Sequence, residues 1–180
     1  KKAIAEEMKS RYHLTWCAET GVEYPVDVSI HSNIARLTID SSGEALNRRG
    51  YRTWNGEAPL RETLAAAMVS LSPWRMSMPL HDPCCGTGTL LIEAAMRMSN
   101  RAPGLTRSFT IEKWSFADIK MMDRIRNEAK AAYKPELIHD ISGSDISPEA
   151  LELARRHIAQ AGFEGKIKVW QADLRQLTLE

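Results

Sequence analysis

The sequence from Asp82 to Thr89, DPCCGTGT, is the feature that most constrains the fold of this chain. A short apolar segment precedes it and an apolar helical pattern follows it directly, so the three together predict a strand, a tight turn and a helix. Two glycines separated by one residue let the backbone adopt positive φ angles and let a bound molecule approach closely. We therefore expect Gly86 and Gly88 to form a ligand-binding turn.

The acidic residue in front of the glycines indicates which ligand this turn prefers. Turns that bind phosphate present unpaired backbone N–H groups, and a neighbouring carboxylate would repel the phosphate. Asp82 instead suits a ligand that carries a cation or an amine. S-adenosylmethionine has both a sulfonium and an α-ammonium group, which makes it the expected cofactor.

Two further acids are predicted to stand at the ends of neighbouring strands. The segment 141–145 reads as a short strand that ends in Asp145, and a serine and a proline typical of a helix start follow it. The segment 166–172 reads as the next strand and is followed by Asp173. Because the carboxyl ends of parallel strands face one crevice, we expect the three acids to converge on one ligand. Asp82 would lie near its amino acid part, the second acid near its ribose and the third near its adenine amine.

The glycine turn alone would also permit an NAD-dependent oxidoreductase. The third glycine of the dinucleotide pattern falls on Leu91, however, and the interval to Asp145 is longer than the roughly 20 residues of that pattern. The interval predicts an insertion at residues 100–135. These departures, together with Asp82 and Asp173, disfavour the oxidoreductase.

The N-terminal third of the chain is predicted to precede the nucleotide fold. Residues 1–13 read as an amphipathic helix, and the alternating segments 25–30 and 35–40 read as a β-hairpin. A helix is predicted from Pro59 to Leu71, since proline suits the first turn of a helix. Its inward stripe is expected to consist of Leu60, Leu64, Ala67, Met68 and Leu71.

Five segments together resemble one known family: residues 43–52, 58–66, 82–89, 100–105 and 112–114. The family is that of the S-adenosylmethionine-dependent RNA methyltransferases with an N-terminal THUMP domain, typified by the large-subunit rRNA guanine-N2 methyltransferases. The resemblance implies an α/β, Rossmann-like class I methyltransferase fold, truncated after its third strand. Residues 1–56 would form an N-terminal helix and hairpin extension, and residues 57–180 the first part of the cofactor-binding domain.

The resemblance also implies which residues contact the cofactor. Cys84 stands where the family has phenylalanine, and the smaller side chain is expected to weaken cofactor binding by roughly 1 kcal/mol on area grounds. The segment that contains Glu62 would lie beside the methionine end. The expected cofactor-binding set is Asp82, Cys84, Gly86, Gly88, Thr89, Asp145, Asp173 and Glu62.

The family's catalytic Asn/Asp-Pro-Pro-aromatic loop follows a fourth strand, and the sequence ends at Glu180 before such a motif. We therefore expect no catalytic residue in this chain and no activity from it alone. The whole enzyme would methylate an exocyclic amine of a base, with guanine N2 of large-subunit rRNA as the expected target. A DNA adenine-N6 methylase and a non-catalytic cofactor- or RNA-binding fragment remain alternatives. The exposed edge of the first strand predicts a homodimer or edge-strand association.

Because the net charge of the chain is close to zero, any RNA recognition is expected to depend on local patches. The chain has 24 basic and 23 acidic side chains, a formal net charge of +1, so it has no general attraction for nucleic acid. The best candidate patch consists of Arg48, Arg49 and Arg52, which lie beside Tyr51 and Trp54. The alternative is a solvated loop whose tyrosine and tryptophan pack inward.

Composition is that of one globular unit of 180 residues, 43% of them hydrophobic. No run approaches the roughly 18 apolar residues of a membrane span, so a cytoplasmic protein is expected. The 3 cysteines, two of them adjacent, suit neither a disulfide framework nor a zinc site. We expect them to be reduced, and we expect no bound metal.

Overall fold

The computed structural model describes residues 2–17, 20–52 and 60–176 of the chain. The helices are α1 (Lys2–Tyr12), α2 (Glu62–Leu71), α3 (Thr89–Met98), α4 (Ile119–Ala131) and α5 (Pro148–Gln160). The strands are β1 (Val26–His31), β2 (Ile34–Ile39), β3 (Leu80–Asp82), β4 (Ile141–Asp145) and β5 (Ile167–Gln171). Within this part of the chain, no helix has the length and apolar character needed to span a membrane.

A parallel sheet in the order β3–β4–β5 carries the candidate site. Helices α3 and α5 connect successive strands, which is the βαβ arrangement of a Rossmann-like fold. In the register, Asp82 lies opposite Gly143, and Asp145 lies opposite Gln171. Each acid therefore stands two residues beyond the acid of the preceding strand, a step of about 7 Å along the strand direction. The predicted α/β order is confirmed, and the acids are staggered along one sheet edge.

The core lies where α3 and α5 pack onto this sheet. Leu91 and Ile92 of α3, Ile141 of β4, Leu151 of α5 and the following Phe163 are all at most 2% exposed. Gly143 sits under α3 in the middle strand. A side chain at this position would separate α3 from the sheet, because interiors of this kind are close-packed.

Replacing Gly143 with alanine is expected to destabilise the protein by about 1–3 kcal/mol. The added Cβ would lie 2.7 Å from Leu91 Cδ1, 2.8 Å from Cys85 Cβ and 3.2 Å from the Asp82 carbonyl oxygen. Urea unfolding measures the loss, and Lys168→Ala on the exposed surface of β5 is the control. A G143A protein as stable as the wild type would contradict this packing.

The predicted N-terminal helix and hairpin are confirmed. Helix α1 spans Lys2–Tyr12, and β1 and β2 pair antiparallel, with Val26 opposite Ile39 and His31 opposite Ile34. A turn at Ser32 and Asn33, both with positive φ, connects the two strands.

The predicted inward stripe of α2 is wrong. Glu62, Ala65 and Val69 are the buried residues of this helix, whereas Leu64 and Leu71 are 52% and 87% exposed. The helix is apolar on more than one side, and the small side chains of its alanine-rich face let it pack closely on α3. It also begins at Glu62, with Arg61 as the N-cap. The predicted first-turn proline, Pro59, lies outside the described residues.

One arginine attaches the segment after the hairpin to the rest of the fold. Arg107 Nη1 donates to the carbonyl oxygens of Ala45 and Arg48 at 3.0 and 3.2 Å. Its Nη2 donates to the carbonyl oxygens of Ser42, at 3.3 Å, and of Glu44. Arg107 therefore holds the irregular segment 42–48 in place through backbone carbonyl groups of that segment.

Candidate cofactor-binding site

The backbone of the glycine turn is fixed by β4 and by its own hydrogen bonds. Gly86 and Gly88 have φ angles of +51° and +80°, in the left-handed region that favours glycine. Cys85 N–H donates to the Ser144 carbonyl at 2.9 Å, and Gly88 N–H donates to the Cys85 carbonyl at 2.8 Å. The strand-turn-helix predicted from the sequence is confirmed, with α3 beginning directly after Gly88.

The two glycines have different surroundings. A Cβ at Gly88 would lie 3.3 Å from the Ala154 Cβ of α5, so this glycine lets two helices approach each other. A Cβ at Gly86 would have no atom within 4 Å among the residues that the structure describes. Gly86 therefore faces open space, and it is the glycine beside which a ligand can lie.

Asp145 is bonded to the turn itself. Its Oδ2 accepts the Gly86 N–H at 2.8 Å, and its Oδ1 accepts the Ser147 N–H at 3.0 Å. An ionised carboxylate has about four acceptor positions, so each oxygen can accept another hydrogen bond. The residue thus orders the turn and still offers two acceptors at the carboxyl end of β4.

Asp82 is half-buried next to Asp145. Its Oδ1 accepts the Cys84 N–H at 3.1 Å. Desolvation raises the pKa of Asp82 above its ordinary value and the negative charge of Asp145 raises it further, against the opposing effects of the Cys84 hydrogen bond and of His81. Neither Asp82 nor Asp145 forms an ion pair with a described residue, and two such neighbouring acids favour a cationic ligand.

Replacing Asp82 with asparagine is expected to raise the melting temperature at neutral pH. The pKa of Asp82 is higher in the folded state than the unfolded value of about 3.9. As pH rises from the unfolded to the folded pKa, ionisation of Asp82 therefore lowers the stability of the folded protein. Asparagine keeps the oxygen that accepts the Cys84 N–H and removes the charge. Thermal unfolding from about pH 3 to pH 7 should show a difference in melting temperature between D82N and the wild type that vanishes below about pH 4. An equal or lower melting temperature for D82N at neutral pH, judged against exposed Asp123→Asn, would contradict the expectation.

Asp173 is engaged by its own neighbour. Arg175 Nε lies 3.0 and 3.1 Å from the two carboxylate oxygens of Asp173, and Arg175 Nη2 lies 2.5 Å from Oδ2. These hydrogen bonds, with a further one from the Arg175 N–H, lower the pKa of Asp173. The structure therefore brings Asp82 and Asp145 together, while Asp173 is held by Arg175.

Glu62 and Thr89 meet at Arg52. Glu62 is 4% exposed, and its Oε1 lies 3.7 Å from Arg52 Nη1. Arg52 Nη2 donates to the Leu60 carbonyl at 2.8 Å and to the Thr89 hydroxyl. Arg52 thus joins the segment before α2 to the first residue of α3.

Arg49 makes a second buried pair on the same side of α3. Its Nε lies 2.7 Å from Glu93 Oε1, which also accepts the Tyr51 hydroxyl at 3.0 Å. Burial raises the pKa of Glu93, and the arginine and the tyrosine oppose that shift. The side chains of Arg49 and Glu93 are 9% and 3% exposed.

The predicted surface patch of three arginines is therefore wrong for Arg49 and Arg52, because both guanidinium groups are paired with buried acids. Of these three arginines, only Arg48 has an exposed side chain, and its Nη1 lies 3.4 Å from Glu44 Oε1. Tyr51 packs inward, as the alternative interpretation anticipated, and Trp54 lies outside the described residues. A charged residue inside the apolar pattern of α3, Glu93, was the sequence signal for this inward pairing.

The adjacent cysteines differ in burial. Cys85 is buried, and desolvation raises its pKa to about 12, so its thiol stays protonated near neutral pH. Cys84 is exposed at the turn. A nucleophilic role for Cys85 is disfavoured, since the thiolate is the reactive form.

Comparison with known proteins assigns the family. Residues 49–180 match the UPF0020 model, described as an RMKL-like methyltransferase domain. The chain is 41% identical over 182 residues to the "Putative RNA methyltransferase YpsC" of Bacillus subtilis (strain 168), in an alignment that covers 99% of the chain and 47% of the relative.

Two solved structures share the fold. One is that of SMU.472, described as "a putative methyltransferase complexed with SAH", with 38% identity and a TM-score of 0.90. The other is described as a "predicted N6-adenine-specific DNA methylase" from Listeria monocytogenes, with 36% identity and a TM-score of 0.91. Each comparison covers 99% of this chain and 47% of the other. The chain thus spans about half the length of these relatives. The predicted methyltransferase fold is confirmed. The chain belongs to the UPF0020 family of RMKL-like methyltransferase domains.

Proposed function

We propose that this chain binds S-adenosylmethionine at the glycine turn and is the cofactor-binding part of an RNA methyltransferase. The observation that carries the proposal is the hydrogen bond from Gly86 N–H to Asp145, with the half-buried Asp82 beside it. Family membership supports the reaction class. The structure of SMU.472 contains SAH, which is what remains of this cofactor after methyl transfer.

The residues suit different parts of this cofactor. Asp145 offers its remaining lone pairs to the two ribose hydroxyls, while its charge also keeps the turn in place. Asp82 offers a desolvated negative charge to the α-ammonium group. Gly86 leaves room for the ligand, and exposed Cys84 would line the crevice in place of the family's phenylalanine. When bound, the cofactor supplies the electrophilic methyl group.

The remaining expected residues have other partners in the structure. Arg175 donates hydrogen bonds to both carboxylate oxygens of Asp173. Asp173 can therefore accept a hydrogen bond from the adenine amine only if Arg175 releases one of these oxygens. Glu62 is buried and paired with Arg52, so we propose that it supports the site rather than contacting the amino acid end. Gly88 and Thr89 supply the start of α3.

The methyl acceptor is proposed to be an exocyclic amine of an RNA base, with guanine N2 of large-subunit rRNA as the first candidate. The name of the Bacillus subtilis relative supports RNA. The description of the Listeria monocytogenes structure favours a second candidate, adenine N6 of DNA. Association with a THUMP module, a domain boundary at residues 56/57 and an RNA contact by Arg48 are further parts of this proposal.

Calorimetric titration of the whole protein with S-adenosylmethionine tests the cofactor assignment, with NADH as the control ligand. Saturable binding of S-adenosylmethionine alone is expected, and no binding would contradict the proposal. Transfer of a labelled methyl group to unmodified large-subunit rRNA, compared with duplex DNA, then separates the two acceptor candidates. Labelling of DNA alone would reject the RNA assignment.

The exposed edge of β3 is the remaining part of the proposal. Among the described strands, β4 pairs with one edge of β3 and none pairs with the other. Unpaired edges recruit further strands, and we propose that this edge mediates association of the isolated chain. A monomeric mass by light scattering at low and high concentration would reject it.

A further inference from the structure

Arg52 occupies a junction between two segments that meet beside the glycine turn. Its Nη2 donates to the carbonyl of Leu60, which lies two residues before the start of α2. The same Nη2 donates to the hydroxyl of Thr89, which directly follows Gly88. One guanidinium therefore links the backbone before α2 to the start of α3.

The environment of Arg52 is unusually costly for a purely structural contact. Its side chain is 10% exposed, and Glu62 lies 3.7 Å from Nη1, longer than a hydrogen bond. Its Nε has no hydrogen-bond partner among the residues that the structure describes. Arg52 thus lacks the short hydrogen-bonded ion pair that Arg49 makes with Glu93, and its hydrogen bonds go to Leu60 and Thr89 instead.

We infer that Arg52 is a positioning residue for the cofactor turn. By holding the Thr89 hydroxyl, it fixes the first turn of α3 and so the orientation of the Gly86–Gly88 backbone that precedes it. By holding the Leu60 carbonyl, it keeps the residues directly before α2 close to that turn. The inference rests on the proposed function and extends it to a residue that acts through Thr89 rather than by touching the cofactor.

Arg49 provides an internal comparison. It pairs with Glu93, which lies four residues after Thr89 and therefore one turn further along the same side of α3. Arg49 and Arg52 are equally buried, and each faces a buried glutamate. Of the two, Arg52 is bonded to the residue that follows the glycine turn, and Arg49 is bonded in the middle of the helix.

The test compares Arg52→Lys with Arg49→Lys in the whole protein. Lysine keeps the charge but is a single point donor, so it cannot reproduce the planar fork that reaches Leu60, Thr89 and Glu62 together. Both variants are expected to lower the melting temperature. Calorimetric titration is expected to show S-adenosylmethionine binding at least tenfold weaker in R52K and within twofold of wild type in R49K.

Thr89→Val provides a second route if R52K folds poorly, because valine keeps the shape of threonine and removes the hydroxyl that Arg52 holds. T89V is expected to weaken binding by a similar factor, and the R52K/T89V double variant is expected to lose little more than either single variant. Binding by R52K or T89V equal to wild type, an equal loss in R49K, or additive losses in the double variant would overturn the inference. Failure of the wild type to bind S-adenosylmethionine would reject the proposed function instead.

Discussion

Replacing Asp145 with asparagine is expected to weaken S-adenosylmethionine binding about 10- to 100-fold. In the structure, one carboxylate oxygen accepts the Gly86 N–H and the other accepts the Ser147 N–H. Asparagine has one oxygen, so either the turn or the start of α5 loses its acceptor, and the proposed ribose contact loses its charge. Hydrogen bonds to charged groups contribute about 1.5–3 kcal/mol, which corresponds to this range of affinity.

Asp140→Asn is the matched control, since Asp140 precedes the opposite end of the same strand. Its side chain is 71% exposed, and its φ of +49° is one that asparagine tolerates. Calorimetric titration of both variants measures the difference, and circular dichroism shows whether each is folded. A folded D145N that binds the cofactor as tightly as D140N does would remove Asp145 from the site.

Replacing Glu93 with alanine is expected to lower the free energy of unfolding by about 3–5 kcal/mol. The substitution leaves Arg49 as a buried charge without its partner, and it leaves the Tyr51 hydroxyl without its acceptor. It also removes side-chain volume at a position that is only 4% exposed. Urea unfolding, with the slope against denaturant checked for each variant, measures the loss.

Glu44→Ala removes the acid from an exposed pair with Arg48, in which both side chains are at least 68% exposed, and is expected to change stability by less than about 1 kcal/mol. The double variant Arg49→Met with Glu93→Met should recover much of the loss, because both charges are gone and the volume is retained. If E93A proves no less stable than E44A, the Arg49–Glu93 pair does not hold α3 as described.

The parts of the fold that follow local rules were predictable. The glycine turn required positive φ angles, and both glycines have them. Ser147 was predicted to cap α5, and its hydroxyl accepts the Ala150 N–H with Pro148 in the first helical position. The strand predicted at 166–172 is β5, Ile167–Gln171. Each of these depends on neighbours within a few residues.

The parts that depend on distant partners were not predictable. The buried side of α2 was misassigned because a helix that is apolar nearly all round does not show which side meets its partner. Arg49 and Arg52 looked like solvent-exposed cations, since Glu93 lies 44 residues beyond Arg49 and Glu62 lies in the following helix α2, so neither acid is a local neighbour. The pairing of Asp173 with Arg175 is a local exception, because the pattern of a strand end does not show which nearby side chain the acid binds.

The way Arg107 holds segment 42–48 has a consequence for sequence variation. The guanidinium contacts carbonyl oxygens, which every amino acid provides, so the attachment does not depend on which side chains the segment carries. Exposed positions such as Glu44 and Leu46 are therefore free to change over evolutionary time while the chain path stays the same. Arg107 and Gly43 do not share this freedom, because Arg107 makes the contacts, whereas Gly43 has a φ of +79° and a Cβ there would clash with the Thr110 side chain.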